Sequence, residues 1–598
     1  MGSERKRKKQ KKQQQNNQQS KYIHFIFYAV ITLVVVFIYG KTKSYDFAID
    51  DKIIIVQNVY VNEGFKSFPK LIEAAFNNDM SVPGVTRPLS MFTHALDVSM
   101  FGMDAGSHHQ MNLLYYLLLG FALFYLLMKY LLKEYPPFLA LGIVLLFLSH
   151  PVHVESVANI KGRDDILSFL FGVISIILFY KNLDERKIYQ QIMIFLGLLF
   201  SFLSKETGII FVILIPLTYY YFKPVKLAQA LSQTYGYLIF GAILILLRFL
   251  MFIPPPEYIN IYNNSILAIN SPLDQIMMTF RIMLHYLTLN FWPSPLIWDY
   301  SYGHFEMNSS TYLWAIISIV LYLGMLVFGI LSFNKKSIIG FGFLFFLIAL
   351  APVSNLFIKI ATTFGERLLL IPSFGMVLAF VFFIKYGLDK IFTAQVSNNY
   401  FRHYGIIGFT ILVFSIMSTH RVSAWENDDV LIAIDSKYSK SIRSSKAYIQ
   451  YLTSIPDPAL VNHKKALEVC KDGLDRFPNE WELWYFRGVI QTKLNHIEDA
   501  KLAYEKSLEI NPNKFITIVN YANFFLEEDP VKAINLFKKA VSVKKDDPRI
   551  IGNLAIMLHK NGQLLEAKTY YEQAINLDYQ DKNMNQAYQI LLNTLENN

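Results

Sequence analysis

Eleven apolar blocks, each about 15–22 residues long, fill the chain up to about residue 420 and limit its fold more than any other feature. They begin near residues 22, 111, 137, 165, 189, 207, 232, 312, 338, 368 and 404. A helix of about 20 apolar residues covers a hydrocarbon core about 30 Å thick. With 53% apolar and 15% aromatic residues and a mean hydropathy of +0.30, the chain is expected to be all-α, a polytopic membrane helical bundle. A twelfth segment, from about Gln275 to Asn290, is shorter and carries Arg281 and His285. It is expected to be interfacial or re-entrant.

The basic residues set the sides. Most of the formal net charge of +10 lies in the first twelve residues. A Gln/Asn-rich spacer and a long apolar run from Tyr22 to Tyr39 follow. A basic tail can bind nucleic acid, but before a first span it is expected to be a cytoplasmic anchor, with no nucleic-acid partner. The run is too long for a signal-peptide core and no small-residue cleavage site follows it, so the first span is expected to stay. The short loops on the tail's side then contain Lys129/Lys133, Lys181/Arg186/Lys187, Lys223/Lys226, Lys335/Lys336 and Lys385/Lys390/Arg402. Each is basic, as the positive-inside rule requires. A twelfth crossing would break the pattern, and an odd number puts everything after about Ser418 outside.

The C-terminal part has a different period. Ala466, Ala500, Ala533 and Ala567 are spaced by 34, 33 and 34 residues, and Cys470, Tyr504, Phe537 and Tyr571 keep the same spacing. Phe477-Pro478 and Asn511-Pro512 mark helix ends, and Gly488 and Gly562 are expected where two helices pack closely. This is the period of tetratricopeptide repeats, paired helices stacked into a solenoid. About four repeats are visible. The expected organisation is a basic tail (1–20), a membrane domain (21–420) with an outer loop (41–110), a linker (421–440) and a repeat domain (441–598). Cys470 is the only cysteine, which excludes an intramolecular disulfide.

The outer side gathers ionisable residues that a membrane interior would exclude: Asp50, Asp51, Arg87, His109, His150, His153, Glu155, Arg163, Asp165, Lys205, Glu206, Asp299, Glu366 and Arg367. Such groups at span ends are costly and mark sites, so one shared polar cavity is expected. The adjacent carboxylates Asp50-Asp51 suit a general base, because a dry site and a like-charged neighbour raise a carboxyl pKa; a cap or an ion pair is the structural alternative. His150-Pro-Val-His153-Val-Glu155 has metal-ligand character. Without further ligands at matching spacing, no metal is expected there, and the histidines are assigned to an anionic phosphate beside Lys161 and Arg163. Arg163 and Arg367 are the expected phosphate forks, unless each only pairs with its neighbour, Asp165 or Glu366.

In order, side and spacing these motifs resemble those of the transmembrane and tetratricopeptide-repeat O-mannosyltransferases, which glycosylate cadherins in animals, and of their bacterial relatives. The resemblance rests on Asp50-Asp51, Arg87-Pro88-Leu89, His109-x-x-Asn112, His150-Pro-Val-His153-x-Glu155 and Gly162-Arg163-x-Asp165. It continues through Ser204-Lys205-Glu206-x-Gly208, Asp299-Tyr300-Ser301, Pro352-x-Ser-Asn355 and Glu366-Arg367 before Pro372-Ser373. Tyr116 departs from the pattern, since the family often has His there, and the repeat array is shorter than is common.

The resemblance implies a membrane glycosyltransferase of the C-type fold. Its donor would be a polyprenyl-phosphate-linked sugar such as mannose, and its acceptor a Ser or Thr hydroxyl of an extracytoplasmic protein held by the repeats. No cofactor is expected. Asp50 or Asp51 would take the acceptor proton in an inverting displacement. Arg163, Arg367 and Lys205 would stabilise the leaving phosphate, while Arg87, His109, His150, His153, Glu155, Asp165, Glu206 and Glu366 would line the donor site. An O-antigen-type ligase or polymerase and a non-enzymatic membrane-anchored repeat scaffold are the competing readings. Abundant Ile, Lys and Asn favour a bacterial inner membrane with periplasmic repeats, with the endoplasmic reticulum as the alternative.

Overall fold

The computed structural model describes residues 23–77, 79, 81–251, 260–391, 400–454, 462–577 and 581–596. The basic tail therefore lies outside the described residues. Among the described residues all regular structure is helical. The chain separates into two compact units between Ser441 and Ile442.

The eleven apolar blocks of the first unit are all helices. Among the described residues seven are long and apolar enough to cross a membrane: Ile23–Ser44, Ala105–Leu131, Ile160–Glu185, Leu227–Leu250, Thr311–Leu331, Glu366–Leu388 and Tyr404–Ala424. Pro137–Leu148 and Pro151–Ala158 make an eighth if they are counted as one span bent by 54°. Ile188–Ser204, Glu206–Phe222 and Ile338–Val353 are apolar but shorter. The twelfth segment is the helix Pro272–Leu289 and does not belong to any of these groups.

The bent span has a local cause. His150 is extended (φ −67°, ψ 125°), the conformation favoured before proline, and Pro151 has no N–H to continue the ladder. The His150 ring accepts the Val152 N–H across the break (3.4 Å). Elsewhere small residues allow helices to touch. A Cβ added at Gly342 would collide with the Gly375 carbonyl, and one added at Gly375 would collide with the Gly342 carbonyl. Two helices thus cross with their backbones in contact, as small residues permit within a membrane.

Residues 421–440, read from the sequence as a linker, contain the helix Asp428–Asp435. Buried Arg421 holds Asp435 through two bonds (2.6 and 3.0 Å), and Asp435 accepts the Trp298 N–H (2.6 Å).

Among its described residues the second unit has four helix pairs, Ile442–Ser454 with His463–Arg476, Trp481–Lys493 with Ile497–Ile510, Phe515–Ala522 with Pro530–Val543, and Pro548–Lys560 with Leu564–Asn576. The helix Lys582–Glu596 follows. The four periodic alanines are completely buried, and Cys470, Tyr504, Phe537 and Tyr571 pack beneath the same helices. Gly488 packs as expected, with an added Cβ only 2.8 Å from the Tyr504 ring. Gly562 does not. It has open space around it and φ +78°, so it serves the left-handed turn after Lys560.

Candidate functional site

Asp50 and Asp51 sit in a tight turn after the first span. Ile49 just before them has φ +48°, an outlier for a β-branched residue that costs about 1–3 kcal/mol. The turn is held from outside the loop. Asp428 accepts the Ile49 N–H (2.7 Å) and the Lys52 ammonium (2.6 Å).

The two carboxylates have different surroundings. Asp51 is fully buried and accepts three backbone N–H groups, from Ala48 (3.2 Å), Ile160 (3.3 Å) and Lys161 (2.7 Å). It therefore ties the outer loop to the start of the Ile160–Glu185 span. Burial, only partly offset by those bonds, pushes its carboxyl up to about 7. Asp50 keeps 39% of its side chain exposed and pairs with Lys161 Nζ at 3.0 Å.

Around Asp50 lies a cluster of opposite charges. Arg87 bridges Asp164 and Glu206, the latter at 3.1 and 3.3 Å. Lys205 reaches Asp165 (2.6 Å) and Asp164 (3.6 Å). Arg367 binds Glu155 through NH1 (2.6 Å) and through its backbone N–H (2.9 Å). Lys161 lies within electrostatic reach of Arg367, Arg87 and Asp164. Arg367 in turn feels Asp50, Asp164 and Asp165.

Exposure sorts this cluster into two layers. Glu155, Asp164 and Asp165 are buried at 4% or less, whereas Arg87, Arg367 and Lys161 keep 19%, 21% and 11% exposed. Buried carboxylates hold Arg87 and Arg367 from behind, whereas Lys161 pairs with Asp50 itself, so the partly exposed members are Asp50, Glu206 and these three cations.

Other expected site residues are placed elsewhere. Arg163 is fully buried, with Nε on Asn112 (2.7 Å) and NH2 on the His108 carbonyl (3.1 Å) and Asp97 (2.6 Å). Its guanidinium is used up inside the protein, which corrects its expected phosphate role. His153 is buried between the Tyr116 hydroxyl (2.9 Å) and Ser373 (2.8 Å), and His150 meets the Asn290 carbonyl (3.1 Å). Both fasten helices instead of presenting a ring to a donor. Tyr116, the departure from the family pattern, is His153's partner in this tie. His109 is buried against Tyr45 and the Asp46 carbonyl (3.3 Å). Glu366 is buried and accepts the Ile297 N–H (2.5 Å) and the Tyr300 hydroxyl (2.7 Å). Asp299 binds Ser301 (2.8 Å) and Ser441. One charged cluster thus replaces the single cavity that was to hold every outer residue.

Asp164 and Asp428 were not singled out in the sequence. Asp164 sits in the Gly162-Arg163 motif, where an adjacent acid pair was the available signal. Asp428 is far from Asp50 in the chain, and no local pattern announces the contact.

The tetratricopeptide-repeat family models match residues 481–514 and 548–581. Protein O-mannosyl-transferase TMTC3 of Homo sapiens is 23% identical over 540 residues, covering 82% of this chain and 57% of that protein. Protein O-mannosyl-transferase F38B6.6 of Caenorhabditis elegans is 26% identical over 399 residues, 64% of this chain and 53% of that protein. Protein O-mannosyl-transferase TMTC1 of Homo sapiens is 24% identical over 506 residues, 74% and 54%. The chain spans about half the length of these curated relatives. The chain is thus a relative of the TMTC protein O-mannosyl-transferases and carries tetratricopeptide repeats at its C-terminal end.

Proposed function

We propose that this chain is a membrane glycosyltransferase. It moves mannose from a polyprenyl-phosphate donor to a Ser or Thr hydroxyl of a protein outside the cytoplasm. The observation that carries this is an accessible Asp50 paired with Lys161, in one charged cluster with Arg87 and Arg367, which buried carboxylates hold. The names of the relatives supply the sugar and the protein acceptor.

Asp50 is the base in this reading and Asp51 the residue that positions it. The acceptor hydroxyl attacks the anomeric carbon opposite the lipid phosphate. Its proton passes to Asp50, the bond from the sugar to the phosphate oxygen breaks, and the configuration inverts. Arg367, Arg87 and Lys161 take up the charge that develops on the phosphate, with Lys205 behind them. Anchored cations do this without reorganising, which is the strongest form of such stabilisation. The repeats bind the acceptor polypeptide and raise its local concentration. The tail is cytoplasmic and the repeats extracytoplasmic, in a bacterial inner membrane.

The test uses full-length protein in nanodiscs, a polyprenyl-phosphate-mannose donor and an acceptor protein. A mass gain of one hexose on Ser or Thr, abolished by Asp50→Asn, supports the reading. No transfer by the folded wild-type chain from that donor, with a series of acceptors, overturns it.

A further inference from the structure

A second buried polar group lies in the outer loop, outside the cluster around Asp50. The helix Pro88–Phe101 starts with Pro88 at its first turn and stops at Gly102, which has φ +73°. It carries His94 and Asp97 three residues apart, hence on one face. His108 comes from the first turn of the next helix, which Asp104 caps through the Ser107 N–H (2.8 Å). One ligand atom from each of the three side chains lies within 4.8 Å of the others. All three residues are fully buried.

Their hydrogen bonding is incomplete. Among the described residues neither ring nitrogen of His94 has a hydrogen-bond partner, and the same holds for His108 Nε2 and Asp97 Oδ1. Asp97 Oδ2 and His108 Nδ1 also lack a hydrogen bond of good geometry, although Oδ2 lies at ion-pair distance from Arg163 NH2 (2.6 Å) and from His108 Nδ1 (3.2 Å). The Ser90 hydroxyl, one turn before His94, is also buried without a partner. Each unsatisfied buried group costs about 1–3 kcal/mol, and a native interior keeps few of them. With neither nitrogen committed to a hydrogen bond, the His94 ring has a lone pair to give.

We infer that His94, Asp97 and His108 bind a divalent transition-metal ion. Two imidazoles and one carboxylate form a donor set that suits zinc. Bonds of about 2.0–2.1 Å place tetrahedral ligand atoms about 3.3 Å apart, and the three atoms already lie within 4.8 Å of one another. Arg163 stays on Oδ2 and leaves Oδ1 to the ion, orienting the carboxylate as outer partners of metal ligands do. Asp164, within electrostatic reach of His94, lowers the cost of placing an ion beside that guanidinium. The fourth ligand is water, with Ser90 available to hold it. The site is structural. It ties the Pro88–Phe101 helix and the second span to Arg163, next to the residues that anchor the exposed cations.

The full-length chain, purified without a polyhistidine tag, is loaded with Zn²⁺, dialysed and assayed by elemental mass spectrometry. The wild type is expected to retain about one zinc per chain and to lose thermal stability with a strong chelator, since structural metal binding adds to folding. Co²⁺ in its place should give the intense visible bands of a tetrahedral site. His94→Gln/His108→Gln should drop below about a tenth of an equivalent and no longer respond to chelator. His150→Gln/His153→Gln should still bind zinc. A folded wild-type chain that holds no stoichiometric zinc, shows no cobalt bands and melts alike with and without chelator would overturn the assignment. So would a His94→Gln/His108→Gln chain that keeps its zinc.

Discussion

At the scale of single residues, the structure separates neighbours that the sequence could only pair. Asp50 and Asp51 are one motif in the chain, but one is accessible and the other spends its oxygens on three N–H groups. Asp51→Ala should destabilise the membrane unit by about 1–3 kcal/mol, because those donors lose their acceptor; denaturation in detergent measures this. Burial raises the Asp51 carboxyl from its ordinary range to about 7. Between about pH 4 and 7 the folded chain therefore holds a proton that the unfolded chain has released, and stability falls as pH rises through that window. Asp51→Asn, which cannot titrate, should flatten the melting temperature's pH dependence there. An unchanged slope would show that Asp51 is not its source. Arg163 and Arg367 also looked equivalent in the sequence. Only burial tells them apart, and burial is a tertiary property that no motif encodes. Arg163→Gln strands Asp97 and should cost about 3–5 kcal/mol. Arg367→Lys keeps the charge but loses the fork, so it should cut transfer about tenfold or more with little change in melting.

At the scale of elements, periodicity was the legible signal. All eleven apolar blocks are helices, and the alanines spaced 33–34 residues apart are buried between repeat helices. Three of the blocks are shorter than a full crossing and one span is bent, because composition reports apolarity but not where a helix breaks. The bend at His150-Pro151 was foreshadowed by its proline. The role of the two histidines was not, since Tyr116, Ser373 and Asn290 come from distant parts of the chain. Gly488 and Gly562 looked alike in the repeats, yet only Gly488 faces a ring. Gly488→Ala should overpack against Tyr504 and destabilise the repeat unit by about 1–3 kcal/mol; thermal unfolding of residues 442–598 measures it.

At the scale of the whole molecule, two compact units divide at Ser441. In the proposed function the chemistry belongs to the membrane unit, where the loops after several helices bring Asp50, Arg87, Lys161, Lys205 and Arg367 together, and acceptor capture belongs to the repeats. Residues 442–598, with four helix pairs and a closing helix around their own core, should unfold cooperatively when expressed alone. The most direct test of the central claim is the rate of hexose transfer from a polyprenyl-phosphate donor by wild type and Asp50→Asn, matched for melting temperature. Loss of a general base predicts a fall of about 10²–10⁴-fold. Transfer at the wild-type rate by a folded Asp50→Asn chain would contradict the claim.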